Sequence, residues 1–521
     1  MNEFAAETRK KTLDKDLEKL AHVEEAASFV ARGLVAPGLG LLFLALSGII
    51  AALFVMGEPG SVVIIAAAAI GGYMALNIGA NDVANNVGPA VGAKALTMGG
   101  ALAIAAVFES AGALIAGADV VTTISSGIVD PAAVADKDVF IRLMLAAVIA
   151  SALWINIATW IGAPVSTTHS VVGGVAGAGI AAAGFAAVDW ATMGGIAASW
   201  VISPMLGALF ATIFLAFIKA NIIYREDKIA AARLWVPILI AVMAGAFGAY
   251  LATKGLKRVV SISGLQIAVL GLGCFVMVWG LAKIGVESQA AELENRNQSL
   301  RKLFRLPLIF SAALLSFAHG ANDVSNAVAP LAAIVHAASG EESSVVGIPL
   351  WVMVIGAFGI SLGLVLFGPK LIRMVGGQIT KLNPMRAFCV ALSAAITVIV
   401  ASWFGLPVSS THIAVGAVFG VGFFREWYTA NSPRRRAYLE RKGNKARAAR
   451  KQGKGHDEAE AGSAAIGDPD IDDVPVSREE IARRRLVRRA HVMTIATAWV
   501  TTVPASAVLA AVIFLLLNLL T

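Results

Sequence analysis

The chain has 521 residues, of which 58% are hydrophobic and 15% are charged, and it carries a net charge of +8. Soluble domains contain roughly 25% charged residues, so this composition excludes an ordinary soluble protein and predicts an all-α, polytopic membrane protein. The positive charge does not indicate a nucleic-acid partner, because residues 425–489 hold 17 Lys/Arg against 11 Asp/Glu and account for +6 of it. We therefore expect contact with membrane lipid and none with nucleic acid.

The apolar runs predict about 12–13 membrane segments, since a spanning helix needs ~20 apolar residues. Their distribution divides the chain into consecutive parts. In order, these are a cytoplasmic N-terminal polar segment (1–32), an extra N-terminal transmembrane helix (33–57), a first transport repeat (60–218), connecting transmembrane helices and loops (219–305), a second transport repeat (306–424), a charged cytoplasmic loop that we expect to be disordered (425–489) and a final transmembrane helix (490–521).

Two polar phrases interrupt the apolar runs, and each occurs twice. "GANDVANNVGP" begins at Gly79 and "GANDVSNAVAP" at Gly320, with eight of eleven positions alike. "PVSTTH" begins at Pro164 and "PVSSTH" at Pro407, which are 85 and 87 positions after the respective first phrases. The same order and nearly the same spacing indicate an internal duplication.

The positions of Lys and Arg predict how the two copies are oriented, because short loops rich in these residues lie in the cytoplasm. Thirteen apolar segments that each cross once satisfy the pattern, with residues 219–233, 283–305 and 370–386 inside. The tract of Lys254, Lys257 and Arg258 disagrees, since it falls outside. The segments that follow the two Gly-Ala-Asn-Asp phrases then run in opposite directions, so the halves are inverted repeats, an architecture of secondary transporters.

The Pro-Val-Ser phrases predict helices that begin inside the membrane, since Pro and Ser/Thr favour helix starts. Such a start offers N–H groups and the positive end of the helix dipole, which together bind anions. The hydroxyl side chains of both copies add donors without fixed charge: Ser166, Thr167, Thr168, Ser409, Ser410 and Thr411. Two such starts brought together predict a pocket for a small oxyanion; capping of kinked helices is the plainer alternative.

The Gly-Ala-Asn-Asp phrases place Asp82 and Asp323 in apolar surroundings, where ionisable residues are functional candidates. A carboxylate repels an anion, so these residues suit a coupling cation or a proton. The neighbouring amides can serve either ion: Asn81, Asn85, Asn86, Asn322 and Asn326. A cation held beside an anion predicts symport, whereas an Asp–Asn clamp between helices is the structural alternative.

Other polar residues in apolar segments have weaker signals. Glu109 is either a proton or cation site or a partner of a helix cap. His169 and His412 are expected to bind neighbouring carbonyls, and His319 has Ile78 as its counterpart, so no symmetric role follows. Enzyme motifs with a nucleophile or a metal centre are not found, which argues against an enzyme.

The paired phrases are similar to those of the PiT family of inorganic phosphate transporters, over about residues 60–425 and the last span. The resemblance implies a cation-coupled phosphate symporter of the cell membrane, most typically the bacterial inner membrane, without cofactors. It implies that the six hydroxyl residues, with Asn81 and Asn322, bind phosphate. It implies that the coupling cation, H+ or Na+, is held by Asp82, Asn85, Asp323, Asn326 and Glu109, of which the first four are candidate Na+ ligands.

One departure from the family bears on coupling. Eukaryotic relatives carry a second Glu where this chain has Ala391, which favours a proton-coupled carrier at least as much as a sodium-coupled one. Sulfate or a metal–phosphate complex as cargo, an anion channel and a homo-oligomeric assembly stay open.

Overall fold

The computed structural model describes residues 34–58, 60–134, 136–163, 165–257, 260–339, 347–378, 382–433, 437 and 489–520. The predicted polar segment 1–32 and most of the charged loop lie outside the described residues. Fifteen α-helices form the described part. They are α1 (Leu34–Val55), α2 (Ser61–Gly92), α3 (Met98–Ala116), α4 (Ala118–Ser125), α5 (Lys137–Ile161), α6 (Thr167–Ala183), α7 (Trp190–Ile218), α8 (Lys228–Leu251), α9 (Gly264–Ala290), α10 (Asn297–Leu303), α11 (Arg305–Ser339), α12 (Leu350–Gln378), α13 (Pro384–Trp403), α14 (Ser410–Asn431) and α15 (Arg489–Leu520).

These helices confirm the predicted all-α membrane protein. Within the described residues, ten helices are long and apolar enough to cross a bilayer, and the number is eleven if α10 and α11, which meet at a 44° bend, count as one span. Helices α6 and α14 begin at the two Pro-Val-Ser phrases and are not counted among these spans. The extra N-terminal helix is α1, over Leu34–Val55.

Helix–helix contacts follow a pseudo-two-fold relation between the halves. Helix α2 of the first half packs on α12 of the second half, and α11 of the second half packs on α3 of the first. The first helix of each half therefore packs on the second helix of the other half. Helix α7 likewise packs on α13 and α14 of the second half, while α15 packs on α5 and α6 of the first. Each half is therefore completed by one helix from the other part of the chain, and the inverted repeat is confirmed.

Small residues allow these exchanged helices to touch. A methyl group added at Gly177 of α6 would overlap the carbonyl oxygen of Ala507 in α15, and one at Gly420 of α14 would overlap that of Ala208 in α7. Membrane helices approach this closely where glycine removes the side chain from the interface. The close contact fixes the position of α6 and α14 within the bundle.

Helices α6 and α14 begin in the protein interior and not at a surface. Backbone turns in the left-handed region at Gly162 (φ 78°) and Gly405 (φ 67°) end the preceding helices α5 and α13. A few extended residues follow, and Ser166 and Ser409 then cap the new helices with their hydroxyl oxygens. These are the predicted broken helices.

The tract that disagreed with the charge rule includes an ion pair. Lys254 Nζ lies 2.6 Å from Asp119 Oδ2, and the ammonium also lies 5.1 Å from the centre of the Trp403 ring. By the positive-inside rule, residues 118–139, which contain Asp119 and a single basic residue, also fall outside. The carboxylate of Asp119 offsets the positive charge of Lys254 at this position.

Candidate functional site

The two Gly-Ala-Asn-Asp phrases lie in the middle of α2 and α11, deep inside the bundle. Asp82 and Asp323 are 0% and 1% exposed, and the amides Asn85 and Asn326 are 7% and 0% exposed. Burial of a carboxylate at this depth requires hydrogen-bond donors or positive charge close by. The helix starts of α6 and α14 supply the donors.

Asp82 joins the two halves through hydroxyl groups. Its Oδ2 accepts a hydrogen bond from Thr167 Oγ1 of α6 at 3.0 Å, and its Oδ1 accepts one from Thr411 Oγ1 of α14 at 2.9 Å. Asn85 Nδ2 also donates to Thr411 Oγ1, at 2.9 Å. One carboxylate therefore contacts the first turns of both interior helices.

Asp323 has the corresponding contact in its own half. Its Oδ2 accepts a hydrogen bond from Ser410 Oγ at 3.0 Å. Asn326 Nδ2 donates to Thr168 Oγ1 at 3.1 Å, in the way that Asn85 donates to Thr411. The pseudo-two-fold symmetry of these contacts is incomplete. Thr411 donates to Asp82, whereas its counterpart Thr168 donates through Oγ1 to the backbone carbonyl of Val408 at 3.0 Å and not to a carboxylate.

The outer hydroxyls of the two phrases act as caps. Ser166 Oγ accepts the backbone N–H of His169 at 3.1 Å, and Ser409 Oγ accepts that of His412 at 3.2 Å. A hydroxyl that accepts such a bond still has its own hydrogen to donate. These serines can therefore cap their helices and still donate a hydrogen bond to a bound anion.

The first Asn of each phrase binds the chain break of its own half. Asn81 Nδ2 donates to Thr159 Oγ1 at 2.9 Å, and Asn322 Nδ2 donates to Ser402 Oγ at 3.0 Å and to the Leu406 carbonyl at 3.2 Å. These bonds satisfy backbone and hydroxyl groups freed where α5 and α13 end. The two amides position the starts of α6 and α14.

His319 is the residue whose place the sequence analysis missed. Its Nε2 lies 2.9 Å from Asp323 Oδ2 and 3.7 Å from Asp82 Oδ2, and its Nδ1 lies 3.3 Å from Glu109 Oε2. The other Glu109 oxygen accepts a hydrogen bond from Asn86 Nδ2 at 2.8 Å. The imidazole thus bridges three buried carboxylates. Its spacing of four residues from Asp323 predicts a shared helix face, but the contact with Glu109 depends on helix packing.

The glycine that opens each phrase allows this packing. A methyl group at Gly320 would overlap the backbone carbonyl of Glu109, and one at Gly79 would overlap that of Ile360 in α12. The pseudo-symmetric counterpart of Glu109 is therefore the apolar Ile360. Ala391 lies fully buried in α13, and among the described residues Glu109 is the glutamate that contacts His319.

The histidines that end the Pro-Val-Ser phrases pack against each other. The rings of His169 and His412 are 4.4 Å apart, and the His169 ring stands edge-on to Trp200 at 3.8 Å. Trp200 in turn donates to the carbonyl of Pro407 at 3.3 Å. This stack joins α6 and α14 just behind their first turns and holds the two starts together.

The arrangement suits an anion and a cation at once. The first turns of α6 and α14 contribute hydroxyls and helix-dipole charge, which favour an oxyanion. Ligand atoms of Asp82, His319 and Asp323 all lie within 4.8 Å of one another, and carboxylate oxygens with neighbouring amide oxygens match a hard cation. The imidazole nitrogen can instead hold a proton. Within the described residues, the site brings together the three predicted acidic side chains and four of the six predicted hydroxyl side chains, and the other two hydroxyls, of Ser166 and Ser409, cap the helices.

Comparisons with known proteins identify the family of the chain. The profile of the phosphate transporter family matches residues 78–510. A Helicobacter pylori (strain J99) protein provisionally named phosphate permease is 48% identical over 96% of this chain and 99% of its own length. A Pyrococcus abyssi protein with the same provisional name is 37% identical over 68% of this chain and 87% of its own.

A solved structure titled as the sodium-dependent phosphate transporter shares the fold. It has a TM-score of 0.72 and 31% identity, and the match covers 88% of this chain and all of that one. The family profile spans both pairs of polar phrases and reaches residue 510 of the final helix. The chain belongs to the phosphate transporter family and is a multi-pass membrane protein that is not an enzyme.

Proposed function

We propose that this protein is a symporter that carries inorganic phosphate together with H+ or Na+ across the bacterial inner membrane. The observation that carries the proposal is the pair of hydrogen bonds from Thr167 and Thr411 to the two oxygens of Asp82. They bring two anion-binding helix starts and one carboxylate to the same point. A plain helix clamp does not need hydroxyl-bearing starts from both halves.

Phosphate binds at the facing first turns of α6 and α14 in this proposal. The hydroxyls of Thr167, Thr168, Ser410 and Thr411 donate to its oxygens when each turns its single hydrogen away from its present acceptor, which is Asp82, Asp323 or the Val408 carbonyl. Ser166 and Ser409 donate while they continue to cap. Asn81 and Asn322 hold the helix starts in position and line the same region. Because a phosphate dianion beside two carboxylates is strongly repelled, positive charge must enter with it.

The coupling ion supplies that charge. Asp82, Asn85, Asp323 and Asn326 are the proposed oxygen ligands if the ion is Na+, in agreement with the sodium dependence stated for the related structure. If the ion is H+, the group formed by His319, Glu109 and the two aspartates holds it. Either ion lowers the repulsion that phosphate meets and so makes phosphate entry depend on cation entry.

Uptake into vesicles that contain the purified full chain tests the proposal. Radiolabelled phosphate is measured with an inward Na+ gradient and an inward H+ gradient, each imposed alone. We expect accumulation above the outside concentration with one of them and loss on addition of an ionophore that removes it. Flow that only follows the phosphate gradient would identify a channel, and accumulation of sulfate in preference to phosphate would change the cargo.

Two variants test whether Asp82 and Asp323 take part in coupled uptake. Asp82→Asn and Asp323→Asn keep the side-chain shape but remove the charge, so we expect coupled uptake to fall at least about a hundredfold, the equivalent of ~3 kcal/mol for hydrogen bonds to a charged group. Glu58→Gln, an exposed carboxylate between α1 and α2, serves as the control and retains uptake. Full activity of both aspartate variants would remove them from the mechanism.

A further inference from the structure

An ion pair lies beside the chain break of the second repeat, residues 404–409, which leads from the end of α13 to the start of α14. Lys254 Nζ is 2.6 Å from Asp119 Oδ2. A methyl group at Gly405 would lie 3.2 Å from the Asp119 carbonyl oxygen, and the Thr123 hydroxyl of α4 donates to the Gly405 carbonyl at 2.8 Å. The pair therefore stands next to the chain segment that leads to the hydroxyls of α14.

The ion pair is at the extracellular end of this segment. By the positive-inside rule, residues 118–139 and the tract around Lys254 fall outside, and their contact agrees with a position at one end of the bundle. Gly405 precedes Ser409 by four residues, which is at most about 14 Å of extended chain. The Lys254 and Asp119 side chains are 15% and 30% exposed, whereas Ser409 is 2% exposed. A phosphate ion that arrives from outside therefore meets the ion pair before it meets the capping hydroxyl.

The ammonium of Lys254 is held at this place by contacts other than the carboxylate. It lies 5.1 Å from the centre of the ring of Trp403, the last residue of α13, and a cation is attracted to the face of such a ring. The end of α8 passes into a π-helical turn, Ala252–Leu256, a geometry that is frequent at functional sites. A methyl group at Gly255 in this turn would lie 3.0 Å from Ile115 of α3. These contacts keep the cation at the break when its carboxylate partner moves away.

A lysine lies beside the chain break of the first repeat as well. Trp160 and Trp403 each precede the proline of a Pro-Val-Ser phrase by four residues, and Lys370 Nζ of α12 donates to the Trp160 carbonyl at 3.3 Å. Lys370 occupies the position that corresponds to Asp119, since both lie ten residues after the residue whose carbonyl faces the opening glycine of a Gly-Ala-Asn-Asp phrase. The two lysines are therefore not related by the duplication, yet each stands at one of the two matched breaks.

We propose that Lys254 is an outer binding point for phosphate, at which an arriving phosphate ion displaces Asp119 from the ammonium. The inference rests on the proposed symport and adds a first binding step to it. A phosphate dianion attracts an ammonium more strongly than a single carboxylate does, so the exchange of partners is favourable. Competition by the carboxylate keeps the binding weak enough for phosphate to move on to the hydroxyls of α14, since a transported ion must leave each site it enters.

Uptake by intact bacterial cells that lack their own phosphate carriers tests the inference, because only the extracellular face of the full-length chain then meets the label. Initial rates of radiolabelled phosphate uptake give the KM and the maximal rate, and the amount of protein in the membrane is measured in parallel. The variants are Lys254→Gln, Lys254→Arg and Asp119→Asn. Lys283→Gln is the matched control, since this ammonium also lies over a ring, 5.4 Å from the centre of Trp279, but in a stretch assigned to the cytoplasm.

We expect Lys254→Gln to raise the KM for external phosphate about threefold and Asp119→Asn to lower it about twofold, the scale of a partly exposed ion pair. Lys254→Arg keeps the charge and is expected to change the KM less, and Lys283→Gln leaves it unchanged. The two neutralising changes act in opposite directions because one removes the charge that binds phosphate and the other removes its competitor. An ion pair that only stabilises the fold predicts no such difference in sign, because either change breaks the same contact.

The failure of this inference is distinct from the failure of the proposed symport. If the unmodified chain gives no uptake above that of cells without it, the symport fails and the binding step falls with it. If the unmodified chain takes up phosphate but both neutralising changes shift the KM in the same direction or leave it unchanged, the outer binding point alone is overturned. Should Lys254→Gln not reach the membrane, Asp119→Asn decides by itself, since an unchanged or raised KM contradicts competition between the carboxylate and phosphate.

Discussion

Thr411 Oγ1 donates a hydrogen bond to Asp82 Oδ1 at 2.9 Å, although the two residues are 329 positions apart and belong to different halves of the chain. Asn85 Nδ2 reaches the same hydroxyl oxygen. This hydroxyl is therefore the point where the first half holds the interior helix of the second. The corresponding bond from Thr168 to Asp323 is not formed, because Thr168 donates to the Val408 carbonyl.

The first prediction concerns this hydroxyl. Thr411→Val keeps the shape of the side chain and leaves Asp82 and Asn85 without their shared partner, so we expect phosphate uptake to fall at least about tenfold, the equivalent of ~1.5 kcal/mol for a bond to a charged group. Thr411→Ser retains the hydroxyl and is expected to retain most of the uptake. Unchanged uptake in Thr411→Val would contradict a role for the hydroxyl.

The second prediction concerns His319. His319→Phe keeps an aromatic ring at this position but removes both nitrogens from contact with Glu109, Asp82 and Asp323. Three buried carboxylates then lose a common partner, so we expect a lower Tm in detergent and at least about a tenfold loss of uptake, consistent with ~1–3 kcal/mol for each charge left unsatisfied.

His319→Gln separates the structural from the coupling role of the same residue. The amide can still donate to one carboxylate, so its Tm should lie nearer to that of the unmodified protein. If the coupling ion is a proton, uptake driven by an H+ gradient falls in this variant. Unchanged H+-driven uptake in His319→Phe would contradict a role in coupling.

The duplicated phrases make much of the fold predictable from sequence. Periodic apolar runs and the matched spacing of the two phrases are sufficient to predict an all-helical bundle of inverted repeats. They also predict that helices start in the interior, at Ser166 and Ser409. Asp82, Asp323 and the hydroxyl residues were correctly predicted to lie close together, since duplication implies a symmetry axis between them.

Asymmetric contacts could not be predicted in the same way. His319 has the apolar Ile78 as its counterpart, and Glu109 has Ile360, so symmetry gives no reason to pair them. Their contact follows from the approach of α3 to α11 at Gly320, which is a property of packing and not of spacing. The partner of Lys254 was missed for the same reason, because 135 positions separate it from Asp119.

The third prediction tests the pair formed by Lys254 and Asp119. The side chains are 15% and 30% exposed, so water screens the interaction only in part. Lys254→Met removes the ammonium that pairs with Asp119, and we expect the free energy of unfolding to fall by about 1 kcal/mol, with a lower Tm. The double variant Asp119→Asn/Lys254→Met should recover most of the loss. Additive losses from the two single changes would show that the pair is not coupled.

The last prediction concerns the glycine that brings Glu109 to the site. Gly320→Ala introduces a methyl group where the Glu109 carbonyl lies, so α3 must move away from α11 and the contact between Glu109 and His319 must lengthen. We expect a destabilisation of about 1–3 kcal/mol, as for overpacking of a close-packed interior, together with loss of coupled uptake. Gly280→Ala is the matched control, because α9 leaves open space at that position and alanine favours a helix over glycine. Uptake and Tm measured on both variants decide the matter: if Gly320→Ala behaves like Gly280→Ala, the close approach of α3 and α11 does not set the position of the glutamate.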